Sequence, residues 1–273
     1  MNLVTPLPGG QTRPGRLAQR VALITGGAGD IGQAAAIHFV EQGAKVALAD
    51  LNEDRGQAIA VRLRSFGGDV AFFKADLRDD AAVKSMVHDV VKLFGQLHVL
   101  FNCAGGSSPQ DTCVTEVDLD VWDQSLSVNL TGTMLSCRHA IPEIVKAGGG
   151  SVINMSSGAA LLGNGKAHAY SAAKAAIGAL TRSLAASYAS KNIRVNAICA
   201  GRINTERVRS SYGMPGLPGK NTDLWNINEI VRQYPFWVGE PEDIANIALF
   251  LASNESRMIT GAEIPANGGR TAY

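Results

Sequence analysis

An excess of charge of either sign is missing from this chain. Its 273 residues carry 25 Lys and Arg against 24 Asp and Glu, a formal net charge of +1. No run of like charge occurs, which argues against a broad electrostatic surface for nucleic acid. No uninterrupted apolar segment reaches the ~18 residues of a membrane-spanning helix. The amino terminus, MNLVTPLPGGQTRPGRLAQR, has no apolar core of a secretory signal. Its Pro and Gly content reads as a loose arm over residues 1–16. The four cysteines, Cys103, Cys113, Cys137 and Cys199, lack metal-ligand spacing and stand mostly in apolar surroundings. They read as reduced thiols in a cytoplasmic compartment, with no metal site. What is present is a hydrophobic fraction of 46%, ample for one sizeable core. A single domain over residues 17–273 is expected.

The first half alternates short apolar runs with helical periodicity. RVALITGG is a buried strand ending in a glycine turn; IGQAAAIHFVEQG follows with helical spacing, stopped by Gly43; KVALAD (45–50) is a second strand. This strand, Gly-rich loop, helix and strand unit is the arrangement that binds dinucleotides. Glycines let the backbone approach a pyrophosphate, and the helix start offers free N–H groups and a positive dipole end. Asp50 closes the second strand, where a carboxylate can accept hydrogen bonds from both hydroxyls of the adenosine ribose. It would repel a 2′-phosphate, and no Arg or Lys stands at Gly29 or Leu51 to attract one, so NAD is favoured over NADP. VAFFKADL reads as a third strand ending at Asp76 and Leu77, and LHVLFNCAGG as a fourth running into a turn at Asn102, Ala104 and Gly105. Strands alternating with helices of this length predict right-handed crossovers and an α/β, doubly wound, three-layered parallel sheet of Rossmann type. Ligands on such sheets bind beyond the carboxyl ends of the strands, where these Gly, Asp and Asn residues fall.

Tyr170 and Lys174 stand four apart in the alanine-rich run AYSAAKAAIGALTRSLAASYAS, which has the composition of a helix. Residues at i and i+4 share one helix face. Free tyrosine, with a pKa of about 10, is a poor base at neutral pH; a neighbouring cation favours the phenolate and makes it a usable general acid/base. Ser157 ends the apolar run SVINMSS, a buried strand, and can donate to a substrate oxygen. Such a trio suits proton transfer to or from an alcohol or ketone, although an ordinary surface helix also carries such a pair. His38, His88 and His139 lie in helical patterns, show no partners in the sequence and read as structural or surface residues, and His168 reads as a pocket-rim residue rather than a second base.

Eight pieces in order, TGGAGDIG (25–32), ALAD (47–50), ADL (75–77), NCAG (102–105), VNLTG (128–132), INMSS (153–157), YSAAK (170–174) and VNAICAG (195–201), resemble those of a classical short-chain dehydrogenase/reductase. The resemblance covers about residues 17 to 270. It implies that Tyr170 is the general acid/base. Lys174 would lower its pKa while bonding the nicotinamide ribose, Ser157 would orient the substrate oxygen, and Asn129 would hold a water linking Lys174 to solvent. Gly26, Gly29, Asp30, Ile31, Asp50, Leu51, Asp76, Leu77, Asn102, Ala104, Gly105, Gly201, Ile203 and Thr205, with Tyr170 and Lys174, would form the cofactor site. Hydride would pass between the nicotinamide and the substrate carbon without a metal. The resemblance also implies a homotetramer, with a dimer as the alternative, built on the helix bearing Tyr170 and on the last helix and strand. Ala172, Ala175, Ala176 and Ala179 would permit close helix approach.

The chain departs from the family pattern twice. Asp30 stands where the family has glycine; the resulting spacing Gly26, Gly29, Gly32 resembles the extended branch, and a carboxylate there can cap the helix start while bringing negative charge towards a pyrophosphate. Ala200 replaces a proline before Gly201, freeing a backbone angle beside the nicotinamide. Residues 202–237 read as a substrate lid. Met214, Leu217, Trp225 and Tyr234 are candidates for an apolar wall and Arg207 or Arg209 for meeting an anion; the alternative is that the apolar residues only pack the lid and the arginines are solvated. The expectation is an NAD-dependent oxidoreductase interconverting a secondary alcohol and a ketone, the alcohol being a cyclic alcohol, diol, polyol, hydroxysteroid or 3-hydroxyacyl compound. The rivals are an NADP-linked 3-oxoacyl reductase and a non-catalytic dinucleotide-binding sensor. A sugar-nucleotide epimerase fits the glycine spacing but would usually need a longer carboxyl-terminal region.

Overall fold

The computed structural model describes residues 15–212 and 236–272. Seven strands form one parallel sheet: β1 (Val21–Thr25), β2 (Lys45–Asp50), β3 (Val70–Lys74), β4 (Val99–Asn102), β5 (Gly150–Ser157), β6 (Ile193–Ala200) and β9 (Glu263–Ala266). The spatial order is β3-β2-β1-β4-β5-β6-β9. The order reverses between β1 and β4, and the crevice for a ligand opens at that switch point. A pair of two-residue strands, β7 (Arg202–Ile203) and β8 (Val238–Gly239), forms a separate small sheet. The sequence gives no periodic signal for segments so short.

The sheet is buried on both faces, which is why its inner strands read as unbroken apolar runs. All five residues of β1 are buried. One face is covered by α1 (Asp30–Glu41), α2 (Glu53–Ser65) and α8 (Pro241–Ala252), the other by α3 (Asp80–Phe94), α5 (Gly132–Lys146) and α6 (His168–Tyr188). Phe39 and Phe101 are fully buried on the first face, each contributing about 1.5–3 kcal/mol of hydrophobic burial. The expected three-layered, doubly wound single domain is what the chain forms. One boundary differs: β3 stops at Lys74, and Ala75, Asp76 and Leu77 leave the sheet as a loop.

The segment preceding β1 is docked as far back as it is described. Gly15 packs so closely on Gln42 that a Cβ would lie 2.2 Å from its carbonyl oxygen. Arg16 pairs with Glu255 and donates its backbone N–H to Gln42 Oε1 at 3.1 Å. These two residues, assigned to the arm from the sequence, therefore lie on the body of the domain.

Candidate active site

The glycine turn after β1 is a cradle built for close approach. Gly26 has φ +67°, and a Cβ there would lie 2.7 Å from the backbone of Ala104; at Gly32 it would lie 2.3 Å from the Gly26 carbonyl oxygen. Side chains at either position would fill the space over the start of α1. A cleft of about 690 Å³ opens here, lined by Gly26, Gly29, Asp30, Ile31, Asp50, Leu51, Asp76, Leu77, Ala104, Gly105 and Thr205 among others. That volume is typical of a cofactor pocket. Asp50 holds its place at the end of β2 by accepting from the backbone N–H of Ala28 at 3.1 Å and of Asn52 at 2.9 Å. The residues present fit a dinucleotide: bare backbone at a helix start, then a carboxylate at the end of the next strand.

Two expectations for this cleft are corrected. Asp30 does not cap α1: Gly29 is the N-cap, without a side-chain cap bond. The Asp30 carboxylate instead pairs with Arg55 of α2 and accepts from the backbone N–H of Glu206 at 2.5 Å, while Arg55 also meets Glu206 at 2.7 Å. Its charge is thus matched beside the pyrophosphate position, and it ties the start of α7 (Glu206–Tyr212) to the glycine loop. Asn102 does not line the cleft with its side chain. It is 2% exposed and donates to Asn154 Oδ1 at 2.9 Å beneath the strand ends.

Sequence reasoning missed Arg55 and Arg78, which both line the cleft; a lone arginine in a helix or loop carries no positional signal. Arg78 grips Asp76 through its guanidinium at 2.6, 2.9 and 3.1 Å and through its backbone N–H at 2.9 Å. These bonds hold the Asp76 carboxyl below its usual range.

A second cavity, with Arg207 as a wall in common with the cleft, is lined by Ser157, Tyr170, Gly201, Ile203, Lys166, Arg202 and Arg270 among others. Gly201 and Ile203, placed in the cofactor site from the sequence, line this cavity and not the cleft. Tyr170 and Lys174 lie in the first two turns of α6, with the Lys174 Nζ 5.6 Å from the Tyr170 ring centre. Lys174 is 3% exposed and donates to the Met155 carbonyl oxygen at 2.8 Å. Burial pulls its pKa down to about 8, the Arg207 charge adding to the effect. Helix α6 is locked to β5 by a buried polar ladder: Ser156 Oγ donates to the Lys174 carbonyl at 2.9 Å and Asn154 to Thr181 at 2.9 Å. The ladder fixes the height of Tyr170 over Ser157 at the strand end.

Asn129 lies in a π-helical turn, Ser127–Thr131, between α4 (Leu119–Leu126) and α5. Such turns recur at functional sites. Its side chain is 1% exposed, accepts from the Gly106 N–H at 2.9 Å and donates to the Ser125 carbonyl at 2.9 Å. A Cβ at Gly105 would lie 2.4 Å from Asn129 Oδ1 and 3.4 Å from Lys174 Nζ, so both side chains converge under that glycine.

Asp111, which sequence reasoning passed over, is a 4% exposed carboxylate in the loop after β4. It accepts from the Ala169 N–H at 3.1 Å and the Tyr170 N–H at 2.8 Å. The loop residue thus supplies the cap that Ala167, at φ +57°, cannot give. His168 Nδ1 accepts from the Val114 N–H at 2.9 Å, a structural bond, and His168, expected at the pocket rim, lines neither cavity. Ala200 lies between Ser157 and Ala266 in the ladder, and the Gly201 N–H reaches Ala266 O at 2.8 Å. The wall beside Gly201 is therefore held without the proline. Arg209 turns away to Asn204 Oδ1 at 2.8 Å, which leaves Arg207 as the arginine of that pair facing the cavity. Met214, Leu217, Trp225 and Tyr234 lie outside the described residues. Ala172, Ala175 and Ala179 are exposed and Ala176 half-buried on the outer face of α6.

The fold and this pair of cavities define a dinucleotide-binding oxidoreductase. A sequence family described as enoyl-(acyl carrier protein) reductase matches residues 26–271. The chain is 38% identical to 2,5-dichloro-2,5-cyclohexadiene-1,4-diol dehydrogenase LinX of Sphingobium indicum, over 93% of this chain and 97% of that protein. It is 35% identical to the 3-oxoacyl-[acyl-carrier-protein] reductase FabG of Chlamydia pneumoniae, over 93% and 98%. A short-chain type dehydrogenase/reductase from Mycobacterium ulcerans superposes with a TM-score of 0.83 at 30% identity, covering 94% of this chain and 91% of that one. The chain belongs to the classical short-chain dehydrogenase/reductase family, whose members use nicotinamide dinucleotides. No helix among the described residues is long and apolar enough to cross a membrane.

Proposed function

We propose that the protein is an NAD-dependent oxidoreductase that interconverts a secondary alcohol and its ketone, with Ser157, Tyr170, Lys174 and Asn129 as its working side chains. The observation that carries this reading is the meeting of Tyr170 and Ser157 in one cavity beside a glycine-lined cleft, with the buried Lys174 cation 5.6 Å from the tyrosine ring. A cation held in so dry a place favours the phenolate of its neighbour. In the oxidative direction Tyr170 takes the hydroxyl proton of the alcohol, while the Ser157 hydroxyl donates to the same oxygen and holds it in place. When bound, the dinucleotide supplies the hydride acceptor. Lys174 would bond the nicotinamide ribose, and Asn129 would hold the water through which the proton returns to solvent.

NAD is preferred because Asp50 ends β2 with an acceptor-only carboxylate, and because the neighbouring Arg55 and Arg78 already meet carboxylates. The similarity to a diol dehydrogenase supports alcohol oxidation. The similarity to FabG carries a second reading, reduction of a 3-oxoacyl group with NADP. A homotetramer in the cytoplasm completes the proposal, with the alanine face of α6 available for contact between subunits.

The test is NADH formation from a panel of secondary alcohols, diols and polyols, with NAD or NADP, for the wild type and Tyr170→Phe side by side. The expected outcome is turnover with NAD that falls by about 10²- to 10⁴-fold in the variant. Preference for NADP would overturn the cofactor assignment, and full activity in Tyr170→Phe would overturn the catalytic one.

A further inference from the structure

The cavity that holds Ser157 and Tyr170 gathers an unusual amount of positive charge. Lys166, Arg202, Arg207 and Arg270 all line it, against the single carboxylate of Asp111. That carboxylate is committed to the backbone N–H groups of Ala169 and Tyr170 at the start of α6. Arg202 is 9% exposed and lies 5.7 Å over the Trp237 ring, so its charge is held in a half-dry wall. Burial lowers the pKa of Arg270. Among the described residues no carboxylate pairs with Arg207 or Lys166. Arg207 gives one N–H to the Ser107 carbonyl oxygen at 3.1 Å, fewer bonds than its guanidinium can make. Its exposed guanidinium lies against Gly106, where a Cβ would be 2.5 Å from its Cζ. Arg207 and Lys166 are like charges around one small space, and a negative group entering it would relieve their repulsion.

Resting on the assignment of Tyr170 and Ser157 above, we propose that the substrate is a hydroxy acid or its keto acid, whose carboxylate is bound by Arg207 with Lys166 at the rim. The planar guanidinium fork matches a carboxylate in two parallel bonds, so the charge orients as well as attracts. Arg207 lies between the cofactor cleft and the cavity. It shares the cavity with Ser157 and Tyr170, so a carboxylate bound to it enters the same space as the reacting side chains.

Binding is read separately from turnover. Isobutyrate and isobutyramide have the same shape and differ in charge; both are titrated calorimetrically into the full chain with and without NADH. Isobutyrate is expected to bind at least about tenfold more tightly, the scale of a charge-assisted bond, with the preference lost in Arg207→Leu, partly kept in Arg207→Lys and reduced in Lys166→Gln. In turnover, 3-hydroxybutyrate is expected to exceed its methyl ester in kcat/KM, and that ratio collapses in Arg207→Leu. Equal binding of acid and amide, or an unchanged preference in Arg207→Leu, overturns the proposal. So does an Arg207→Leu variant that weakens NADH and leaves isobutyrate alone, because Arg207 then serves the cofactor. Tighter binding of inorganic phosphate at the same residue overturns the choice of carboxylate. Isobutyrate binding at Arg207 without turnover of any alcohol would retain the anion site and sink the Tyr170 assignment; turnover of neutral alcohols without an acid preference would do the reverse.

Discussion

Replacing Lys174 with methionine should abolish activity and make the protein more stable. The lysine is 3% exposed, and burial brings its pKa from 10.5 to about 8. At about 1.4 kcal/mol per pH unit, a difference of that size corresponds to about 3 kcal/mol spent on keeping the cation charged in the folded protein. Methionine is close in volume and has no charge to desolvate. Its cost is the bond from Nζ to the Met155 carbonyl at 2.8 Å, whose loss takes back about 1–2 kcal/mol. The net gain near pH 7 is about 1–2 kcal/mol, or about 2–8 °C in Tm for a domain of this size. The sign with pH follows from proton counting. Below about pH 8 the wild type carries the full cost. Between there and 10.5 the unfolded chain binds the extra proton, so wild-type stability rises with pH. By about pH 10.5 the cost is gone and the variant is the less stable of the two by the lost bond. Thermal melts of the cofactor-free proteins at about pH 7 and pH 10 check this. A variant less stable at neutral pH, or a Tm difference that does not move with pH, refutes the reasoning.

Other outcomes follow from the same contacts. Asp111→Ala removes both side-chain caps at the start of α6; it should lower stability by about 1–2 kcal/mol in chemical or thermal unfolding. It should also lower kcat more than it raises the KM of the cofactor, because Tyr170 is one of the two residues it holds. Asp30→Asn removes one of the two carboxylates that hold Arg55, leaving Glu206, so the ratio of kcat/KM for NADP over NAD should rise by up to about tenfold. No change in that ratio would remove Arg55 from the account of cofactor choice.

How much of this was legible in advance depends on the range of the forces involved. Strand and helix order followed from hydrophobic period, which is local. The parallel sheet followed from the alternation of those elements, because crossover connections have one hand. The glycine loop, Asp50, Ser157, Tyr170 and Lys174 were legible because their roles depend on short fixed spacings: a turn, a strand end and one helical turn. Asn102 was misplaced because its direction at the strand end is set by Asn154, 52 residues away. Asp30 was misread for the same reason, since its partners Arg55 and Glu206 are 25 and 176 residues distant.

By itself, then, the amino-acid order determined the layers, the dinucleotide loop and the tyrosine–lysine pair. The tertiary structure alone decided the rest. It brought Asp111 from a loop to cap α6, tied α7 to the glycine loop through Asp30, and turned Arg207 into the cavity while Arg209 turned to Asn204. All but the short reach of Arg209 to Asn204, five residues away, depend on a charged or polar side chain finding a partner across the fold. A long side chain's direction is settled by whichever partner the packed chain puts within reach of it, and local periodicity carries no information about that.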